Sequence, residues 1–217
     1  MSHQNMLLSL AYATIETLYM TGMATFFTIL IGLPLGIFLF LTQKNQLLAH
    51  KIINQALSFI VNIGRSLPFI ILMIALIPLT RFIVGTSIGS NAAIVPLSIG
   101  SIPFFARMVE GTLLTISFGL IEAALAMGAN TRQIIFKVLL PEAMPGIIHS
   151  ITITMVALIG YSAMAGAVGG GGLGDLAVRY GYQRFDMLLM IETIIILVIL
   201  VQSIQTIGDY WAKQLKK

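Results

Sequence analysis

The stretch from Leu18 to Thr42, LYMTGMATFFTILIGLPLGIFLFLT, runs for 25 residues without a charge. A helix needs about 20 such residues to cross the hydrocarbon of a bilayer, so the segment reads as a transmembrane span. The remainder of the chain agrees with it. Of its 217 residues, 58% are hydrophobic and 9% charged, against about 25% charged in a soluble domain. Mean hydropathy is +0.98. Too little polar surface is left to cover a soluble core of this size. The composition argues against a soluble enzyme, a disordered chain and a nucleic-acid binder, and for an all-α integral membrane protein.

Four further stretches are long and apolar enough to span: Ile52 to Pro78, interrupted by Arg65, then Ile88 to Phe105, Pro145 to Val168, and Met187 to Ile207, whose one charge is Glu192. Five spans place the termini on opposite sides. With the C-terminus inside, the inner basic residues are Lys44, Lys51, Arg107, Arg132, Lys137, Lys213, Lys216 and Lys217. Only Arg81, Arg179 and Arg184 are then outside. Basic residues favour the cytoplasmic side, so the topology is N-out, C-in. The segment Met1 to Leu10 has no Lys or Arg and so lacks the basic start of a cleaved signal peptide; it is expected to belong to the mature protein. With no Cys, disulfides, thiolate metal sites and thiol nucleophiles are all unavailable. Arg65 has two placements. It sits near mid-membrane if its helix starts at Ile52, or at the interface if Ile52 to Ile63 lies along the inner surface and Ser66-Leu67-Pro68 starts the span.

The longest inner segment, 106–144, is the place for cytoplasmic structure within a single domain covering 1–217. Helix-friendly runs flank Gly128, a candidate left-handed helix stop. Asn130, three residues before Gln133, offers a capping box to the second run, which Pro141 is expected to end. The outer segment from Gly166 to Asp186 is rich in Gly, Arg and Tyr, and is expected to be irregular and mobile. The sequence has no GxxxxGK[ST] and no HExxH. Gly169, Gly171 and Gly174 match GxGxxG outside the strand–helix context that pattern requires, so a close-packed turn is the better reading. Glu192, about 7.5 Å into its span at 1.5 Å per residue, is expected to reach the outer interface or to pair with Arg179 or Arg184. In the fourth span, Ser150, Thr154, Ala157, Tyr161, Met164 and Val168 fall on one helical stripe. Such a stripe faces other helices or a polar passage, and Met164 is flexible enough to gate one. Small-residue pairs at Gly32/Gly36, Gly85/Gly89 and Gly166/Gly170/Gly174 would permit close helix approach.

The inner loop reads Glu122-Ala123-Ala124-Leu125-Ala126-Met127-Gly128, then nine residues, then Val138-Leu139-Leu140-Pro141. This resembles the EAA loop of bacterial ABC import permeases, EAA-x3-G-x9-I-x-L-P, with Val138 at the usual Ile. The resemblance implies a type I ABC importer permease fold in the bacterial cytoplasmic (inner) membrane, assembled as a homodimer. It also implies two copies of a separate ATPase, into which the helix around Glu122 to Gly128 would dock. Glu122, Ala123, Ala124, Gly128, Leu140 and Pro141 are then the coupling residues. The chain itself is not an enzyme and carries no cofactor, ATP and Mg being bound by the partner.

A narrower resemblance runs from about residue 14 onward. Arg65-Ser66-Leu67-Pro68-Phe69-Ile70, the run from Ile77 to Gly89, Pro103 to Glu110, and Gly160-Tyr161-Ser162-Ala163-Met164 with the glycines after it look like methionine-import permeases. Five spans suit that small permease. The resemblance implies inward passage of methionine by alternating access and an extracytoplasmic methionine-binding lipoprotein as a third partner. From position alone, Ser150, Thr154, Tyr161 and Met164 are candidate pathway or gate residues. The alternatives are an importer of another amino acid or small solute, a membrane scaffold, and an intramembrane enzyme using Ser162, Glu192 or His149.

Overall fold

The computed structural model describes residues 3–215; Lys216 and Lys217, counted above with the inner basic residues, lie outside that range. Among the described residues every regular element is helical. The first span is α1 (His3–Leu41), longer at its N-terminal end than hydropathy alone defines. The second is broken. α2 (Lys51–Ser66) and α3 (Phe69–Ala75) meet at 102°, and α4 (Ile77–Val84) follows. The break has a local cause: Pro68 pushes the residue before it out of the helical region, and Leu67 is extended at φ −81°, ψ 127°. Arg65 therefore ends α2 at the bend. The remaining spans are α5 (Ser90–Leu114), α8 (Leu140–Gly166) and α10 (Met187–Leu215), with α6 (Phe118–Ala126) and α7 (Thr131–Ile134) between α5 and α8, and α9 (Gly172–Leu176) between α8 and α10.

α5 is the most enclosed of the long helices and α10 the least; α1, α2, α3, α4 and α8 all pack on α5. Its contact with α1 depends on missing side chains. A Cβ on Gly32 would lie 2.9 Å from Phe105 Cδ1, and one on Gly36 would lie 2.6 Å from the Ala106 carbonyl oxygen. Beside these glycines the buried hydroxyls of Thr28 and Ser101 bond each other at 2.6 Å. Further up α1, Thr17, Thr21 and Thr25 each donate to the carbonyl four residues earlier, at 2.7–2.9 Å. Each polar group is thus satisfied inside the protein, where lipid offers no partner.

Several expectations are corrected. The Gly85/Gly89 pair is not a packing seam, since a Cβ on either would meet nothing within 4 Å; both have positive φ, and Gly85 closes α4. The outer segment after Gly166 is not irregular. It forms α9 and a wide π-type turn over Ala177–Tyr182, with Leu173, Leu176 and Gly181 buried. Glu16 Oε2 accepts from the Gly172 N–H at 2.8 Å and Thr17 Oγ1 from the Leu173 N–H at 2.9 Å, so α1 caps α9 from across the bundle. Gly166 lies directly on the Gly174 and Asp175 backbone, as its small-residue spacing led us to expect. Pro141 does not end a helix: it occupies the first turn of α8, and residues 131–166 form one continuous helical run. The π-type turn over Ile135–Leu139, in which the Leu140 N–H donates to the Ile135 carbonyl, changes the hydrogen-bond register just before the ring.

Two alanine substitutions on α1 should separate packing from helix propensity. Gly22 has open space around it, so Gly22→Ala should leave stability unchanged or raise it by about 0.5–1 kcal/mol. Gly36→Ala should lower it by about 1–3 kcal/mol through overpacking. Thermal unfolding of both variants in detergent checks this; equal midpoints would disprove the close α1–α5 contact.

Candidate functional site

The EAA-like segment folds into an elbow. α6 buries Ile121 and Ala124 against Ile134 and Leu139, while Glu122, Ala123 and Leu125 face outward and Met127 is 83% exposed. Its end is a double-bonded reverse turn. Gly128 takes φ +79°, its N–H donates to the Leu125 carbonyl at 2.9 Å, and the Ala129 N–H donates to the Ala124 carbonyl at 3.0 Å. This is the Schellman geometry, in which a left-handed glycine satisfies the last carbonyls of a helix. Two residues on, Asn130 Oδ1 accepts from the Gln133 N–H and Gln133 Oε1 accepts from the Asn130 N–H, both at 2.9 Å, completing the expected capping box. α7 then continues through the π-type turn into α8. Leu140 is half-buried and Pro141 exposed on that rod. A displacement applied to α6 therefore reaches the fourth span through two satisfied turns and an unbroken helix. The uncovered side of the elbow is apolar, with Phe118, Leu125, Met127 and Phe136 all exposed.

The stripe on α8 divides in two. Ser150 and Thr154 are buried; Ser150 Oγ donates to the Gly146 carbonyl at 2.8 Å and lies 3.4 Å from Thr112 Oγ1, and Thr154 Oγ1 donates to the Ser150 carbonyl. Ser150 joins α8 to α5, and Thr154 is buried one turn further along. Further along, the Tyr161 ring stacks on Phe69 of α3 at 4.6 Å and 9°, and Met164 is 47% exposed. Only this second half faces open space. Glu192 takes neither expected partner. Arg179 pairs with Asp175, Arg184 lies over the Tyr180 ring, and Glu192 Oε2 is buried with no hydrogen-bond partner among the described residues. His149 Nδ1 lies 3.7 Å from Asp209 Oδ1, linking α8 to α10.

One cluster was not foreseen. Glu110, 2% exposed, accepts from Arg107 Nη1 at 2.5 Å and from Gln43 Nε2 at 2.6 Å, and Arg107 Nη2 donates to Asn62 Oδ1 at 3.0 Å. Asn54 Nδ2 donates to the Leu39 carbonyl at 2.8 Å. Together these tie α2 to the inner ends of α1 and α5. The only sequence signal was the i, i+3 spacing of Arg107 and Glu110.

Five spans, one of them bent, and an elbow continuous with the fourth are the architecture of a membrane transport subunit. The chain belongs to the family of binding-protein-dependent transport system inner membrane components, which matches residues 32–217. It is 57% identical over 197 residues, 91% of this chain and 88% of the relative, to the probable D-methionine transport system permease protein MetI of Vibrio cholerae serotype O1. To the methionine import system permease protein MetP of Bacillus subtilis it is 50% identical over 91% of this chain and 89% of that one. A chain from an inward-facing structure of the MetNI methionine ABC transporter superposes with a TM-score of 0.98 at 51% identity, covering 100% of both. The crystal structure of an amino acid ABC transporter with histidines shares the fold at 18% identity, with a TM-score of 0.79 over 98% and 97% of the two chains. The fold is that of a type I importer permease of the bacterial inner membrane.

The charge cluster makes its own prediction. Glu110→Ala leaves Arg107 and Gln43 without their acceptor and should destabilise the protein by about 1–3 kcal/mol. The double variant Arg107→Ala/Glu110→Ala should lose clearly less than the sum of the two single changes. Additive losses in thermal unfolding would show that the pair does not couple.

Proposed function

We propose that this chain is the membrane-spanning subunit of an ATP-driven importer and passes methionine inward by alternating access. It works as a homodimer with two copies of a separate ATPase and an extracytoplasmic methionine-binding lipoprotein. The observation that carries the reading is the elbow: an outward-facing α6, locked by Gly128 and the Asn130–Gln133 box, and continuous with a transmembrane helix. The named relatives and the matching MetNI structure support methionine as the solute. ATP and Mg belong to the ATPase.

In this mechanism Glu122, Ala123 and the exposed apolar side of α6 seat the elbow in the ATPase, and Ala124 and Leu140 pack it on the permease. Pro141 lies on the rod that carries the motion, in the first turn of α8. Nucleotide drives inward or outward states only insofar as the ATPase contacts differ between them. The elbow converts that difference into a tilt of α8, and Tyr161 and Met164 then face the passage that opens and closes, while Ser150 keeps the inner half of α8 on α5.

The test is uptake of radiolabelled methionine into proteoliposomes holding the permease, the ATPase and the binding protein. Wild type should accumulate methionine only with ATP. Gly128→Val puts a β-branched residue at a left-handed position, strained by about 1–2 kcal/mol or more; it should abolish uptake or dissociate the ATPase. Normal ATP-driven uptake by a stably assembled Gly128→Val complex would refute the role of the elbow.

A further inference from the structure

At the bend between α2 and α3 a cavity of about 120 Å³ opens, walled by Arg65, Phe69, Phe104 and Tyr161. A single water needs about 10–15 Å³, so this space admits a small solute. The cavity nearer the outer surface, beside Met73, Thr80 and Ala165, is about 30 Å³ and holds water at most. Two polar groups in the wall of the larger cavity are unengaged: neither the Arg65 guanidinium nor the Tyr161 hydroxyl has a hydrogen-bond or ion-pair partner among the described residues. Arg107 and Arg179 each have an ion-pair partner, and Arg184 lies over the Tyr180 ring. Beside Arg65 the Phe69 and Tyr161 rings stack on each other, and Phe104 is a third aromatic residue in the wall.

One exposed, unpaired cation next to aromatic side chains matches a ligand with a carboxylate at one end and an uncharged, flexible apolar side chain at the other. A guanidinium pairs a carboxylate through two parallel hydrogen bonds, and a thioether gains from contact with ring edges. We infer that this cavity is a transit site for the imported amino acid, its carboxylate on Arg65 and its side chain against Phe69, Phe104 and Tyr161. The site rests on the transport reading above and gives the bend in the second span a purpose. At the bend the end of α2, the start of α3 and Tyr161 of α8 line one cavity.

Photo-crosslinking with a diazirine analogue of methionine tests the site on the full chain in lipid nanodiscs, with neither ATPase nor binding protein present. Mass spectrometry should find the label on peptides containing Phe69, Phe104 or Tyr161. Excess methionine should suppress it. Methioninol, which lacks the carboxylate, should compete about ten- to a hundredfold less well, the value of a charged hydrogen-bonded contact. Arg65→Gln should cut the labelling by a similar factor, and Arg65→Lys by less. Equal competition by methioninol in the wild type, or undiminished labelling in Arg65→Gln, would overturn the site. The wild-type competition decides even if the variant fails to fold. Normal ATP-driven methionine uptake alongside a negative labelling result defeats the transit site alone, whereas absence of uptake defeats the transport reading itself.

Discussion

Gly32 and Gly36 let the backbone of α1 lie against that of α5, and the arrangement of the other spans follows from that contact. Between lipid-solvated helices no hydrophobic force draws apolar surfaces together, so close packing and internal hydrogen bonds must supply the attraction. The two glycines provide the first and the Thr28–Ser101 bond the second. With α1 fixed on α5, α8 packs on both of them and the bent second span packs on α5. Gly64 completes the set, seating α2 where a Cβ would lie 2.7 Å from Pro103 Cγ. The same economy governs polar groups: the α1 threonines bond their own helix, and the Glu16 carboxylate is used up capping α9.

On this frame the chain separates rigid parts from movable ones. The elbow is rigid because both of its turns are fully bonded, and because the core under it, with Ile121, Ala124, Ile134 and Leu139, is closed. The Arg107–Glu110–Gln43–Asn62 cluster holds the base of α2 in the same region. Beyond these anchors, α8 exposes Met164, and the Tyr161–Phe69 stack with Leu158 and Ala165 beside Met73 engages α3. The elbow is thus joined to α8 through bonded turns, and the far end of α8 is seated on α9 at Gly166.

Much of this was legible in the sequence because its causes are local. Span lengths follow from charge-free runs, the Gly128 stop from the need for a left-handed residue, and the Asn130–Gln133 box from i, i+3 spacing. The bend at Leu67-Pro68 follows from the steric effect of proline on the preceding residue and puts Arg65 in the last turn of α2. What escaped was set by partners distant in the chain. Glycine richness after Gly166 looked like disorder, yet those glycines allow contact with α1 and α8, and Glu16 and Thr17 that cap them lie more than 150 residues away. Gly85 and Gly89 had the spacing of a packing seam but serve a turn. Pro141 had the look of a helix stop, which a shift in hydrogen-bond register cancels. Glu192 was matched to the nearest arginines in sequence, both of which have closer partners in space. The Glu110 cluster draws on three separate segments, and no window of sequence contains it.

The account stands on one claim, that this chain transmits the work of a separate ATPase. Native mass spectrometry of the complex extracted from membranes in mild detergent tests it most directly. Two copies of this chain with two copies of a P-loop ATPase, lost when the exposed α6 surface is altered at Leu125 and Met127, is the predicted result. A folded, intact chain that is extracted alone, or an ATPase whose binding ignores α6, would contradict it.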